Sequence, residues 1–236
     1  MRINVHAGHN PDGKAACGAI GFIRESTENR RVKDAVIDRL RQLGHTVYDC
    51  TCDNGINSAD NLAKIVAACN AHEVDLDVSI HFNAGAKDAI GNGQTTGVEV
   101  YTYKDSGIAR ECAERVCNAI AGLGFKNRGA KINSFYVLRN TKAPAMLIEC
   151  CFVDDKDDAE LYDCQKMADA IVYGIIGRQM ETEEEPETDG TENNAAAEEN
   201  KKLYRVQVGA YTVKENAASM LKQLKKAGFD AMIVSA

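Results

Sequence analysis

The chain has 236 residues, of which 44% are hydrophobic and 27% charged, and a formal net charge of −7. That length accommodates one ordinary α/β domain plus a smaller unit with a buried core, and the acidic balance argues against nucleic-acid binding as the main task. Nine cysteines, an odd count with no CxxC pair, argue against both a disulfide framework and a cysteine zinc cluster; Cys50 and Cys52, with one residue between them, read as buried thiols rather than ligands.

The opening Met-Arg-Ile-Asn-Val has no basic stretch followed by an apolar one, so no signal peptide is expected. No apolar run approaches the ~18 residues of a membrane span. The sequence therefore predicts synthesis in the cytoplasm.

Residues 3–6 read as a short strand. Ser26 or Thr27 is placed to cap a helix whose apolar positions are Val32, Val36, Ile37, Leu40 and Leu43, and Gly44 stops it. Residues 45–50 (HTVYDC) are a predicted strand, and Ser58 a predicted cap for a helix carrying Leu62, Ile65, Val66 and Cys69 on one face. The run 74–84 (VDLDVSIHFNA) is a predicted strand ending at His81, and another covers 96–103. Ile108, Cys112, Val116 and Ile120 mark a third helix; 135–140 (FYVLRN) and 145–153 (AMLIECCFV) read as strands; Met167, Ile171 and Ile175 lie on a last helix. Strands alternating with helices predict an α/β fold, a mostly parallel twisted sheet with helices on both faces, over residues 1–180.

Residues 181–202 (ETEEEPETDGTENNAAAEENKK) contain nine acids, two lysines and no aromatic or branched aliphatic side chain. Such a segment buries nothing and reads as a flexible acidic linker. In residues 203–236, Tyr204, Val206 and Val208 alternate with polar residues, Ala217, Leu221 and Leu224 share a helical face, and "DAMIV" forms a second strand. This is a small β-α-β unit, short for an independent core.

His9 follows the first strand, His81 ends the third, and Glu149 lies late in "MLIECC". Active sites of open α/β sheets form at the carboxyl ends of the strands, where these side chains could meet. Glu25 begins the first helix, close in sequence to the strand-one turn. Two histidines and a carboxylate leave one position of a zinc ion open, and a further carboxylate could activate water. The opposite reading, a glycine turn and isolated histidines, stays open on these residues alone.

Several motifs occur in order: Gly8-His9 after a strand, Glu25 at a helix start with Asn29 four residues on, Ser79 to Ala84 reading Ser-Ile-His-Phe-Asn-Ala, and Leu138 to Phe152 reading Leu-Arg-x4-Pro-x-x-Leu-x-Glu-x-x-Phe. With them, residues 3–176 resemble the zinc-dependent N-acetylmuramoyl-L-alanine amidases. The resemblance implies His9, Glu25 and His81 as ligands of one Zn2+ and Glu149 as the catalytic carboxylate. It further implies hydrolysis of the amide between the muramic acid lactyl group and L-alanine of peptidoglycan. Asn83 and Arg139 are candidates for holding substrate. His6 falls where relatives often carry aspartate; Glu28 is the rival of Glu25; His45 and His72 read as surface residues. Cys150-Cys151 stands where relatives place a small residue and glycine, and strand alternation points Cys150 away from Glu149. Val206 to Tyr211 (VQVGAY) resembles the first half of a SPOR-type, peptidoglycan-binding repeat, so residues 203–236 are expected to bind wall or to form a homodimer. Action on a wall outside the membrane, without an export signal, matches an endolysin released at lysis. The alternatives are a zinc peptidase cutting within the stem peptide and a non-catalytic wall-binding module.

Overall fold

The computed structural model describes residues 1–177 and Leu221. The chain divides into two units, Met1–Glu183 and Glu184–Ala236. The predicted acidic linker and the predicted β-α-β tail lie outside the described residues, Leu221 excepted.

The strands are β1 (Arg2–Ala7), β2 (Thr46–Asp49), β3 (Leu76–Asn83), β4 (Val98–Thr102), β5 (Asn127–Ile132) and β6 (Ala145–Phe152). They form one sheet in the order β2-β1-β3-β6-β4-β5. Every neighbouring pair is parallel except β4 with β6. The helices are α1 (Glu25–Gln42), α2 (Ser58–Asn70), α3 (Ile108–Ala121), α4 (Tyr136–Asn140), α5 (Lys156–Leu161) and α6 (Cys164–Ile176).

Side chains of successive strand residues take opposite faces. Met146, Ile148 and Cys150 of β6 join α1, α3 and α6 in the main core, whereas Ala145 and Leu147 join α2 and α4 in a smaller one. The first face is mostly apolar, with Asp49 of β2 and Thr102 of β4 among its polar members. The second carries Asn4, His6, Asp77, Ser79, His81, Asn83, Glu99, Tyr101 and Glu149, as the strand pairings require. A polar face under a thin helical layer is where a site can open. The Ile148 side chain is fully buried in the main core. Ile148→Ala is expected to cost about 2–5 kcal/mol in urea denaturation, because the close-packed neighbours relax only partly into the void.

The connection after β1 runs through α1 to β2 on one side, and the connection after β2 runs through α2 to β3 on the other side of β1. Right-handed crossovers in opposite directions put α1 and α2 on opposite faces and leave a crevice between the carboxyl ends of β1 and β3. That crevice is the topological switch point of the sheet.

The structure corrects the sequence reading at several elements. Residues 136–140 are helical, not a strand. Arg139 N donates to Phe135 O and Thr141 N to Val137 O, and adjacent Val137 and Leu138 both bury in the small core, which strand alternation forbids. Helix α1 starts at Glu25, with Arg24 at its N-cap, rather than after a Ser26 or Thr27 cap. The cap of α2 is Asn57, whose side chain accepts from Asp60 N, not Ser58. Strand β5 and helix α5 were not predicted. The sequence of β5, Asn-Arg-Gly-Ala-Lys-Ile, is poor in strand formers, and pairing with β4 at the sheet edge imposes its conformation. Helix α5 is too short for a periodic signal; Asp155 caps it, and the buried Asp158 carboxylate accepts from Gly97 N and Phe152 N.

Candidate active site

His9 lies two residues beyond β1, in a turn whose backbone is unusual. Its φ is +61°, a left-handed conformation that non-glycine residues seldom adopt. The turn is pinned from α1: Asn29 Nδ2 donates to Gly8 O at 3.0 Å, and Arg30 Nη2 donates to His9 O at 2.9 Å. The Asn29 side chain of the Glu-x-x-x-Asn motif thus fixes the turn that presents His9. Gly8 N donates to Ile80 O on β3, bringing the turn against the strand that carries His81. A Cβ on Gly8 would overlap the His81 ring. Gly8→Ala is therefore expected to displace the imidazole and weaken zinc binding more than ~10-fold while the sheet still folds; calorimetric zinc titration and a thermal melt of the variant check this.

Glu25 heads α1 on the other wall of the crevice, its carboxylate largely buried. Oε1 accepts from Phe82 N at 3.2 Å and lies 3.0 Å from His81 Nδ1; Oε2 accepts from Ala19 N at 2.8 Å. His9 Nε2 is 3.4 Å from Glu25 Oε1. The His9 and His81 rings meet edge to face with centroids 5.0 Å apart. Burial works to raise the Glu25 pKa, but the His81 and His9 imidazoles outweigh it and hold the carboxyl well below the usual range. Among the described residues, one donor atom from each of His9, Glu25 and His81 can be chosen so that all lie within 4.8 Å of one another. Two imidazole nitrogens and a carboxylate oxygen are a donor set suited to zinc with a position left open.

Glu149 is paired with His81 across β3 and β6, so the two side chains share a face. Its Oε2 is buried without a hydrogen-bond partner. Burial first, then the negative charges of Glu25 and Glu99, push its pKa up to about 8. A carboxylate so placed binds a proton readily and accepts no competing donor at Oε2.

Glu28 does not join this group: it accepts from Arg31 and from the Tyr162 hydroxyl. His6 is buried beside Ser79, its Nδ1 3.4 Å from Ser79 Oγ, and burial, with the nearby His81, lowers its pKa to about 3. It therefore stays neutral beneath the site. His45 Nδ1 contacts the amino group of Met1, and His72 stacks on Tyr48. Cys150 is fully buried in the main core, on the opposite face from Glu149, and burial raises its pKa. Arg139 sits exposed on α4 with its guanidinium over the Tyr136 ring; no hydrogen bond among the described residues ties it to the donor set.

Asn83 donates to Glu99 Oε1 at 2.7 Å, which draws in a group the sequence reading missed. Glu99 on β4 lies opposite Glu149 on β6. It accepts from the Tyr101 hydroxyl at 2.6 Å and from Arg128 Nε at 2.8 Å, and it pairs with Lys131 Nζ. Burial would raise its pKa, but the bonds from Lys131, Tyr101 and Arg128 hold it down at about 2. The available signal was a lone acid inside "VEVYT", whose alternation puts Glu99 and Tyr101 on one face.

This arrangement of a mostly parallel sheet, a switch-point crevice, a His-Glu-His donor group and a partnerless carboxylate has the form of a metal-dependent hydrolase centre. The chain belongs to the N-acetylmuramoyl-L-alanine amidase family, whose profile matches residues 3–177. The SPOR domain profile matches residues 183–235, which include most of the acidic segment as well as the tail. An uncharacterised protein of Clostridium perfringens is 32% identical over 232 residues, 95% of this chain and 65% of that protein. The N-acetylmuramoyl-L-alanine amidase CwlM of Bacillus licheniformis is 31% identical over 176 residues, 74% of this chain and 62% of the relative. The chain thus spans somewhat under two thirds of the length of these curated relatives. The solved catalytic domain of the CD27L endolysin targeting Clostridia difficile superposes with a TM-score of 0.67 at 29% identity, covering 76% of this chain and 99% of that domain. Among the described residues no helix is long and apolar enough to cross a membrane.

Proposed function

We propose that the chain hydrolyses the amide between the lactyl group of N-acetylmuramic acid and L-alanine of the peptidoglycan stem. His9, Glu25 and His81 hold one Zn2+ in this reading, and Glu149 is the catalytic base. The observation that carries the proposal is the partnerless Oε2 of Glu149 beside a His-Glu-His donor group in a chain of this family. When bound, zinc supplies Lewis-acid chemistry, polarising the scissile carbonyl and making water more acidic. Glu149 Oε2 takes the proton of the attacking water as the new C–O bond forms. It then delivers that proton to the alanine nitrogen as the C–N bond breaks, releasing a lactyl carboxylate and a free amine. Glu25, held by Phe82 N and Ala19 N, orients the donor group. Asn83 and Arg139 are assigned to substrate holding, Asn83 through its fixed position beside Glu99 and Arg139 through an exposed guanidinium.

Purified walls digested with and without a chelator test this. New lactyl carboxylates and L-alanine amines, abolished by the chelator and restored by zinc, are expected. Chain ends within the stem would establish a peptidase instead, and binding without new ends would establish a wall-binding module. We further propose that the wall is reached after lysis, as for an endolysin.

Residues 203–236 are proposed to bind wall and to pair between two chains. The β-α-β unit expected from their sequence pattern would leave a sheet edge open, and two copies related by a twofold axis would close it. Light scattering should then show a full-length dimer at tens of micromolar and a monomer for the chain truncated after Met180. The truncated chain should still cut soluble fragments but bind intact walls less well, since a dimer raises effective concentration. A full-length monomer would refute the pairing.

A further inference from the structure

The basic group at the β4–β5 edge has no role in the hydrolysis as described. Glu99, between Asn83 and β5, receives four donors: Asn83 and the Tyr101 hydroxyl on Oε1, Arg128 and Lys131 on Oε2. One carboxylate thus holds two cations. Neither cation is used up. The guanidinium of Arg128 gives only Nε to Glu99, and its two terminal nitrogens make no hydrogen bond among the described residues. Its plane is supported by the Phe152 ring, 5.0 Å away. The side chains of Arg128 and Lys131 are 31% and 38% exposed, whereas that of Glu99 is 4% exposed. The acid is therefore the buried anchor, and the cations are the accessible part.

Distance from the reacting bond narrows the ligand. Glu99 is directly opposite Glu149, and facing residues of antiparallel strands lie about 4.5–5.5 Å apart. Strand β5 is one strand further, another ~4.8 Å. An anion held by Arg128 and Lys131 thus lies ~5–10 Å from the base. An extended peptide advances ~3.3–3.6 Å per residue, so that span takes in the third residue beyond the cut amide and, nearer, the second. In the peptidoglycan stem the second residue is a glutamate joined onward through its side chain, which leaves its α-carboxylate free or converted to a carboxamide.

We propose that Arg128 and Lys131, positioned by Glu99, bind the free α-carboxylate of the second stem residue and make the protein selective for stems in which it is not amidated. The proposal rests on the amide hydrolysis proposed above. Bidentate guanidinium recognition of a carboxylate is a charge-assisted contact that a neutral carboxamide cannot replace.

Binding of released stem tripeptides to the full-length chain tests it without requiring turnover. The probes are L-alanyl-γ-D-glutamyl-L-lysine, the same tripeptide with the glutamyl α-carboxylate as carboxamide, and a third with only the C-terminal carboxylate amidated. Calorimetry should show the carboxamide at residue two binding at least ~10-fold more weakly than the free acid, and the C-terminal amide binding like the free acid. Arg128→Gln and Lys131→Gln should each shrink that preference, weakening the free acid more than the carboxamide, whereas Lys131→Arg should keep it. Equal affinity for the first two probes in wild type, a preference that follows the C-terminal carboxylate, or a Gln variant that weakens both probes equally would overturn the proposal. Muramoyl forms of the peptides, assayed in parallel, report cleavage separately: selective binding with no cut at the lactyl amide would refute the hydrolysis and leave the carboxylate site standing.

Discussion

Glu149→Gln is expected to leave zinc content at the wild-type level of about one ion per chain and to lower turnover at least ~10²-fold. The amide keeps the volume and burial of the side chain but cannot take a proton at the position where Oε2 now has no partner. The structural risk is small. Burial and the charges of Glu25 and Glu99 already favour the neutral form of Glu149, and glutamine keeps that neutrality, so the variant should be at least as stable as the parent. Glu25→Gln should behave oppositely. Its carboxylate is bonded to two backbone N–H groups and lies against both imidazoles, so its neutralisation should reduce zinc affinity directly. Metal analysis and steady-state rates on the two variants separate the roles. If Glu149→Gln emptied the site while Glu25→Gln kept its metal, the two assignments would be exchanged.

Loss of either imidazole should have the largest effect on metal. His9→Ala and His81→Ala are each expected to weaken zinc binding more than ~100-fold and to take wall hydrolysis to background, as the ligand roles proposed for them require. The two differ in their structural consequences. His9 is partly exposed in its strained turn, and alanine there leaves the sheet untouched. His81 is packed against Gly8, so its removal also opens a gap beneath the turn. His81→Ala should therefore lower the melting temperature of the metal-free protein more than His9→Ala. Wild-type protein that stayed fully active after exhaustive metal removal would defeat the metal assignment for both.

Much of this arrangement was readable along the chain because its determinants are local. The apolar spacing of α1, α3 and α6 and the β-rich runs of β1, β3, β4 and β6 each exceed competing patterns, and the parallel α/β class follows from their alternation. His9, Glu25, His81 and Glu149 fall at strand ends and a helix start, positions that an open sheet turns into a crevice. Where side-chain pattern was weak, the sequence misled. The run "FYVLRN" has strand-forming residues, yet Thr141 and Asn140 bond back to Val137 O and Tyr136 O and close a helical turn over the small core. The residues of β5 have little strand propensity and are extended because β4 offers them an edge.

What the sequence by itself determined was the set of elements with a strong period, the placement of the four central side chains at strand ends and a helix start, and the opposite facing of Glu149 and Cys150, since alternation along β6 needs only the strand to exist. The tertiary structure decided what depends on partners distant in the chain. It set the order of strands that makes β1 and β3 a switch point, the closeness of Gly8 to the His81 ring, and the pairing of Glu99 with Glu149 that carries Arg128 and Lys131 to the rim of the site. These are register and packing relations between segments tens of residues apart, and a one-dimensional pattern constrains the face of a strand but not its neighbour.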